Sequence, residues 1–297
     1  MNIYQNCPTY ETGHFILRLV KIEDAEDLLE CYSDKAAVAR MNADSCTNDF
    51  YYTTANEMQA CICFWLDEYA RGAFVRFSIV DRLNGKVVGT VEMFNSHFPI
   101  VGNAGVLRID IASAYETAGN ISELTALAAG NFPYDFETNV ILVKAGHTPE
   151  RAEVFAFYGF TPTDEFRPGL GYYIYKHKGI AYCGLACCVC SENKTCVGCQ
   201  SGGCDIHGWC KNYNCCRDKE INGCWECADF PCGGTMLDKL RIRAFARFAR
   251  EYGEDELVRC LMRNKADGIV YHYDGQLVGD YDQCKTEDEI IIKTAIK

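Results

Sequence analysis

Thirteen of the twenty cysteines in this 297-residue chain fall between Cys183 and Cys232. Three pairs are spaced Cys-x-x-Cys: Cys187/Cys190, Cys196/Cys199 and Cys224/Cys227. The aliphatic residues there are few, chiefly Ile180, Leu185, Val189, Val197, Ile206 and Ile221. So small an apolar set does not offset the entropy of ordering fifty residues. The stretch is therefore expected to be held by coordinate or covalent bonds, and the chain before it to be an ordinary domain. A Cys-x-x-Cys turn aims two thiolates at one point, which suits tetrahedral zinc or an iron–sulfur cluster.

Disulfides are the rival reading, and they require an oxidising compartment. The first twenty residues show no basic segment followed by an apolar one, and no apolar run is long enough to cross a bilayer. A cytoplasmic, metal-binding chain is the expectation. The candidate ligands are Cys183, Cys187, Cys190, Cys196, Cys199, Cys204, Cys210, Cys224, Cys227 and Cys232. Zinc is preferred, because structural zinc supplies folding energy directly, with an iron–sulfur cluster as the alternative. The spacing Cys183-x3-Cys187-x2-Cys190 also occurs in radical-SAM clusters, but no repeating βα pattern accompanies it. The doublets Cys187/Cys188 and Cys215/Cys216 are expected to include non-ligands, and His207 reads as a solvated loop histidine.

Length allows two domains, expected at 1–178 and 179–297. The net charge of −12 is uneven: residues 1–178 carry 14 basic and 23 acidic side chains, a net of −9. That balance disfavours nucleic acid or an anionic membrane as partner.

Residues 15–20 read as a strand and 22–33 as a helix with acidic first turns. From 51 to 70, Ala55, Met58, Ile62, Trp65, Leu66 and Tyr69 recur at helical spacing. Val75, Phe77 and Ile79 alternate, Asn84-Gly85 is a hairpin turn, and 87–92 returns. A strand at 105–111, a helix at 121–129, a strand at 140–143, a helix at 149–157 and short strands at 160–162 and 172–175 complete the first domain. In the second, helices are expected at 236–252, 255–263 and 287–296, with a strand at 268–273 and a turn at 279–282. Lys239, Arg243, Arg247 and Arg250 form a basic row, able to grip RNA or an acidic protein but more ordinary as a solvated face.

The opening Glu11-Thr-Gly-His-Phe-Ile-Leu-Arg-Leu-Val20, the strand-into-helix stretch Gly105–Gly119 and the closing Tyr158-Gly159-Phe160 resemble the GCN5-related N-acetyltransferase (GNAT) superfamily, over residues 9–178. The resemblance implies an α/β fold with a mixed central sheet and flanking helices, acetyl-CoA as acyl donor and an amine acceptor, either a small molecule or a protein N-terminus. A homodimer is compatible with it. It places acetyl-CoA on the end of the fourth family strand and the next helix's N-terminus: Ile111, Ala112, Thr117, Ala118, Gly119, Asn120 and Ile121. A pyrophosphate there meets unpaired N–H groups and the helix dipole. Of the family's phosphate motif only Gly119 matches; Glu116 stands where a cation or amide usually sits. Glu92 and Asp110 are the candidate bases and Tyr158 the candidate acid, since Phe155 occupies the usual tyrosine position. His147 falls near the expected cofactor arm. A catalytically degenerate scaffold on the same fold is the alternative.

Cys183-Gly-Leu-x-Cys187-x-x-Cys190, Cys224-x-x-Cys227-x-x-Phe-Pro-Cys232 and Gly279-Asp-Tyr-Asp282 resemble a bacterial and archaeal cysteine-rich family of unknown function, over about 180–297. That likeness implies a second, small α+β domain stapled by metal.

Overall fold

A computed structural model describes residues 3–44, 46–47, 49–145, 148–192, 196–203 and 208–296. Its backbone separates into two units, Met1–Ala128 with Phe132–Tyr175, and Ala129–Asn131 with Lys176–Lys297. No helix among the described residues is long and apolar enough to cross a membrane.

The first unit is built on alternating strands whose inner faces are sealed. Its elements are β1 (Tyr10–Glu11), β2 (Phe15–Leu19), α1 (Ala25–Tyr32), α2 (Lys35–Val38), α3 (Ala55–Ala70), β3 (Val75–Asp81), β4 (Val87–Phe98), β5 (Gly102–Ile111), α4 (Ala118–Asp135), β6 (Val140–Lys144), α5 (Pro149–Phe157), β7 (Thr161–Thr163) and β8 (Tyr172–Lys176). The sheet order is β1-β2-β3-β4-β5-β6-β8-β7. β1 through β5 pair antiparallel, while β5 and β6 pair parallel. This is the mixed sheet with flanking helices that the resemblance implies.

The apolar stripe on α3 buries Met58, Ile62 and Trp65 against Tyr32 and Leu28 of α1. Each such side chain contributes roughly 1.5–3 kcal/mol of transfer free energy. The helix starts at Ala55, the first residue of its apolar pattern, and not at 51, because Thr54 caps it: the Thr54 hydroxyl accepts from Glu57 N–H and the Glu57 carboxylate accepts from Thr54 N–H. α4 outruns its expected end and carries Pro133 inside. β4 and β5 extend into a long hairpin with continuous register from Gly89↔Ile111 to Phe98↔Gly102.

The second unit contains α6 (Lys211–Asp218), α7 (Leu240–Tyr252), α8 (Glu254–Ala266) and α9 (Glu287–Ala295). Residues 268–273, expected as a strand, form none; Tyr271 instead stacks on Phe245, which fixes the segment by packing. The segment 236–238 is a separate 3₁₀ turn ahead of α7. The cysteine stretch is less short of core than its own residues suggest. Cys183, Cys187, Cys199, Cys216 and Cys224 pack with Leu237, Ile242 and Ala246, so the α7 region supplies the missing aliphatic face. Buried thiols act here as small hydrophobes. Gly184 makes the approach possible: at φ +97°, an added Cβ would sit 2.8 Å from the Ile242 carbonyl oxygen and 2.9 Å from the Ala246 nitrogen. Two cations of the basic row are paired within the unit, Arg243 to Glu287 at 2.5 Å and Arg247 to Asp288 at 2.8 Å, and Arg250 donates to the Cys227 carbonyl at 3.1 Å.

Candidate active site

β5 pairs with β6 from Gly105↔Ile141 to Leu107↔Val143, then continues to Ile111 beyond the end of that pairing. The chain turns through a 3₁₀ segment, Ser113–Tyr115, into α4. Thr117 caps α4, its hydroxyl accepting from Asn120 N–H at 3.2 Å, while Asn120 Nδ2 donates to the Tyr115 carbonyl at 2.9 Å. Thr117, Ala118 and Gly119 are exposed, so the positive end of the helix faces solvent. Ile111 and Ile121 are buried and Ala112 and Asn120 half-buried. Ile121 is thus turned into the core and does not obstruct the helix end.

A residue not singled out in the sequence dominates this place. Arg151 of α5 is 4% exposed. Its Nη1 donates to the Ile109 carbonyl of β5 at 2.8 Å. Its Nε and Nη2 grip both oxygens of Glu116 at 2.6 and 2.7 Å. The guanidinium therefore occupies a β5 carbonyl beyond the end of the β6 pairing and neutralises the anion at the entrance to α4. The sequence signal was weak: Glu116 marks an anion just before α4, but nothing local to it names a partner 35 residues on.

Glu92 and Asp110 are adjacent to each other's strands but carry a structural load. Both are at most 2% exposed, as is Arg76 between them. Arg76 donates to Glu92 through Nε (3.0 Å) and Nη2, and through Nη1 to Asp110 (3.0 Å), Tyr32 (2.9 Å) and Thr90 (3.0 Å). Arg108 donates to the other Glu92 oxygen at 2.6 Å, and Tyr32 donates to Asp110 at 3.0 Å. The Arg76 guanidinium lies over the Trp65 ring, 4.1 Å from its centroid. Burial opposes the Arg76 charge, but Glu92, Tyr32 and Asp110 hold it more firmly protonated than an ordinary arginine. Burial, then Asp110, pushes the Tyr32 phenol up. Every Glu92 oxygen thus faces a guanidinium; within this cluster Asp110 Oδ1 and Arg108 Nε are left without a hydrogen-bond partner. Tyr158 is 1% exposed and its hydroxyl pairs with Ser122 of α4 at 2.8 Å. His147 lies outside the described residues.

In the second unit, no disulfide joins any two described cysteines. Cys204 and His207 lie outside the described residues. Cys224, Cys227 and Cys232 line one cavity of about 160 Å³ together with Cys215 and Cys216, and Cys216 Sγ is 3.7 Å from Cys224 Sγ. Cys190 lies elsewhere, on a cavity of about 420 Å³, with its sulfur 3.9 Å from His272 Nδ1. Cys183 is buried in the apolar cluster with Cys187 and Cys199, and burial pushes its thiol up to about 12. Cys196 accepts a hydrogen bond from Gly198 N–H at 3.4 Å, and Cys210 packs at the cluster's edge. Among the described residues no group of three or more His, Cys, Asp or Glu side chains is placed to hold an ion.

No family model and no curated protein matches the chain. Among solved structures it is similar to the ribosomal-protein-S5-alanine acetyltransferase of Vibrio fischeri, at 18% identity and TM-score 0.45, over 57% of this chain and 94% of that one. It is similar to RimJ of Mycobacterium smegmatis in complex with CoA-disulfide, at 16% identity and TM-score 0.43, over 54% and 80%. A GNAT-family acetyltransferase of Bacillus anthracis is similar at 13% identity and TM-score 0.44, over 57% and 99%.

Proposed function

We propose that the first unit is an acetyl-CoA-dependent N-acetyltransferase acting on an amine, either a small molecule or a protein N-terminus, and that Arg151 holds its resting state closed. The observation that carries this reading is that the β5–β6 pairing ends at Leu107↔Val143, short of the end of β5 at Ile111 and of the exposed N-terminus of α4. A strand edge supplies backbone partners for an amide-bearing arm, and a helix end supplies N–H groups for its phosphates. With Arg151 on the Ile109 carbonyl and on Glu116, the end of β5 is not free for that arm. The side chain must turn out, and a diphosphate can replace Glu116 as its partner. A closed state favoured by about 2 kcal/mol would weaken apparent affinity roughly thirtyfold. Glu92 and Asp110 hold Arg76 and are positioned as structural ions, so the amine's proton passes to solvent.

A second reading is favoured by the same arginine: a scaffold that has kept the fold and closed the site for good. One titration separates the two. Calorimetry with acetyl-CoA is expected to show weak binding to the wild type and at least tenfold tighter binding to the Arg151→Ala/Glu116→Gln double variant. No heat from either protein at millimolar acetyl-CoA would remove the enzyme reading and leave the scaffold.

The second unit is proposed to bind metal, zinc ahead of an iron–sulfur cluster. Thiol-rich donors favour both, and zinc contributes to folding without redox chemistry.

A further inference from the structure

The cavity beside α6 brings Cys216 to the Cys224/Cys227 pair, a partner that the sequence pattern does not give it. Cys216 lies on α6 and Cys224 and Cys227 on the 3₁₀ turn Cys224–Glu226 and its end. Four thiolates around zinc, at about 2.3 Å each, stand about 3.8 Å apart along a tetrahedral edge. The Cys216–Cys224 separation is 3.7 Å.

Two polar side chains are aimed at these sulfurs. Asn212, 4% exposed, donates from Nδ2 to Cys224 Sγ at 3.2 Å. Its orientation is fixed, because its Oδ1 accepts from Met236 N–H at 3.0 Å. Lys219 donates from Nζ to Cys227 Sγ at 3.2 Å. A buried amide and an ammonium that donate to sulfur serve a thiolate far better than a thiol, which is a weak acceptor. Such outer donors orient and tune metal-bound thiolates.

We propose that Cys216, Cys224, Cys227 and Cys232 bind one zinc ion, with Asn212 and Lys219 as supporting donors. This rests on the metal-binding reading of the second unit and replaces its broad ligand set by four named sulfurs. Cys232 lines the same cavity and is half-buried. Cys215 lines it too, but it is exposed and next to Cys216 on α6, and successive helical positions do not face one point. As placed, these side chains do not yet form a coordination group of three. Binding draws Cys227 and Cys232 inward and releases the thiol protons to solvent. Cys183, Cys187 and Cys190 are left out: none of the three lines this cavity, and Cys190 faces His272.

The test uses the full chain, purified under reducing conditions. Elemental analysis is expected to give one zinc per chain. Alkylation read by mass spectrometry should find Cys216, Cys224, Cys227 and Cys232 protected with zinc and modified after chelation. Replacement of zinc by cobalt should give the visible bands of a tetrahedral all-sulfur site. Cys216→Ser should abolish that spectrum, Cys183→Ser should preserve it, and Asn212→Leu should weaken zinc about 10- to 100-fold. Metal retained with a full-strength spectrum in Cys216→Ser, or protection of Cys183 and Cys187 instead, overturns the assignment and leaves the metal reading standing. Failure of the reduced wild type to take up zinc or cobalt overturns both. The alkylation map needs no variant, so misfolding of Cys216→Ser does not blunt it.

Discussion

Arg76→Met tests whether Glu92 and Asp110 are structural ions or available bases. The substitution keeps most of the side-chain volume and removes the charge. Four buried ions, Arg76, Arg108, Glu92 and Asp110, sum to zero in the wild type, each no more than 9% exposed. The variant leaves one uncompensated negative charge at this depth. It also leaves Glu92 Oε2 without a donor, and leaves Asp110 Oδ2 and the Thr90 hydroxyl with Tyr32 alone. Breaking a buried pair from one side costs about 3–5 kcal/mol. Loss of the contact over Trp65 adds about 1–2 kcal/mol. Against a typical total of roughly 5–15 kcal/mol, the first unit becomes marginal. The double variant Arg76→Met/Asp110→Asn removes the imbalance, leaving Arg108 paired with Glu92, and should recover at least half of the loss. Urea denaturation followed by Trp65 fluorescence measures both. A cost below 1 kcal/mol for Arg76→Met, or a double variant less stable than the single, would refute the argument and restore the two carboxylates as candidate bases.

Three further outcomes follow from single sites. Gly89 faces the β5 backbone, where an added Cβ would sit 2.2 Å from the Asp110 carbonyl oxygen and 2.7 Å from Ile111 Cα; Gly89→Ala should cost about 3 kcal/mol in the same denaturation assay, and a change under 0.5 kcal/mol would contradict the close approach. Burial pushes the His177 imidazole down to about 4. The folded state therefore binds a proton less readily than the unfolded chain, so stability is full above about pH 6.5 and declines as pH falls toward 4, by about 3 kcal/mol. His177→Phe should flatten that slope in pH-dependent melting. Thr54→Ala removes the α3 cap and should cost about 1 kcal/mol, read as a lower thermal midpoint.

Local signals in the sequence were read well wherever the fold is set by local spacing. The stripe through Met58, Ile62 and Trp65, the turn at Asn84-Gly85 and the helix Pro149–Phe157 all appear where their periodicity places them. Features set by distant partners were not legible. The segment 268–273 has the composition of a strand, but its backbone makes only isolated bonds with the turn that follows, Asp280 N–H to the Val270 carbonyl and Tyr273 N–H to the Val278 carbonyl, and Tyr271 stacks on Phe245. The cysteine stretch looked starved of core because its apolar partners, Ile242 and Ala246, lie on a later helix.

The same logic governs the candidate site. Glu116 alone reads as repulsion toward a diphosphate, and Phe155 alone as a lost proton donor. Arg151, 35 residues from Glu116, changes what both mean. It lies four residues before Phe155, one helical turn away, so α5 delivers an arginine and a phenyl ring to neighbouring positions. The acid at 116 and the base at 151 neutralise each other, and the arginine's remaining arm takes the strand carbonyl at Ile109. Removing either partner alone leaves a poorly compensated charge at the helix entrance, whereas removing both leaves it neutral and frees the end of β5. The two substitutions should therefore be strongly non-additive in acetyl-CoA affinity, with the double variant tighter than the product of the singles predicts. Additive effects would mean that Arg151 and Glu116 act separately and that the end of β5 is not closed by their pairing.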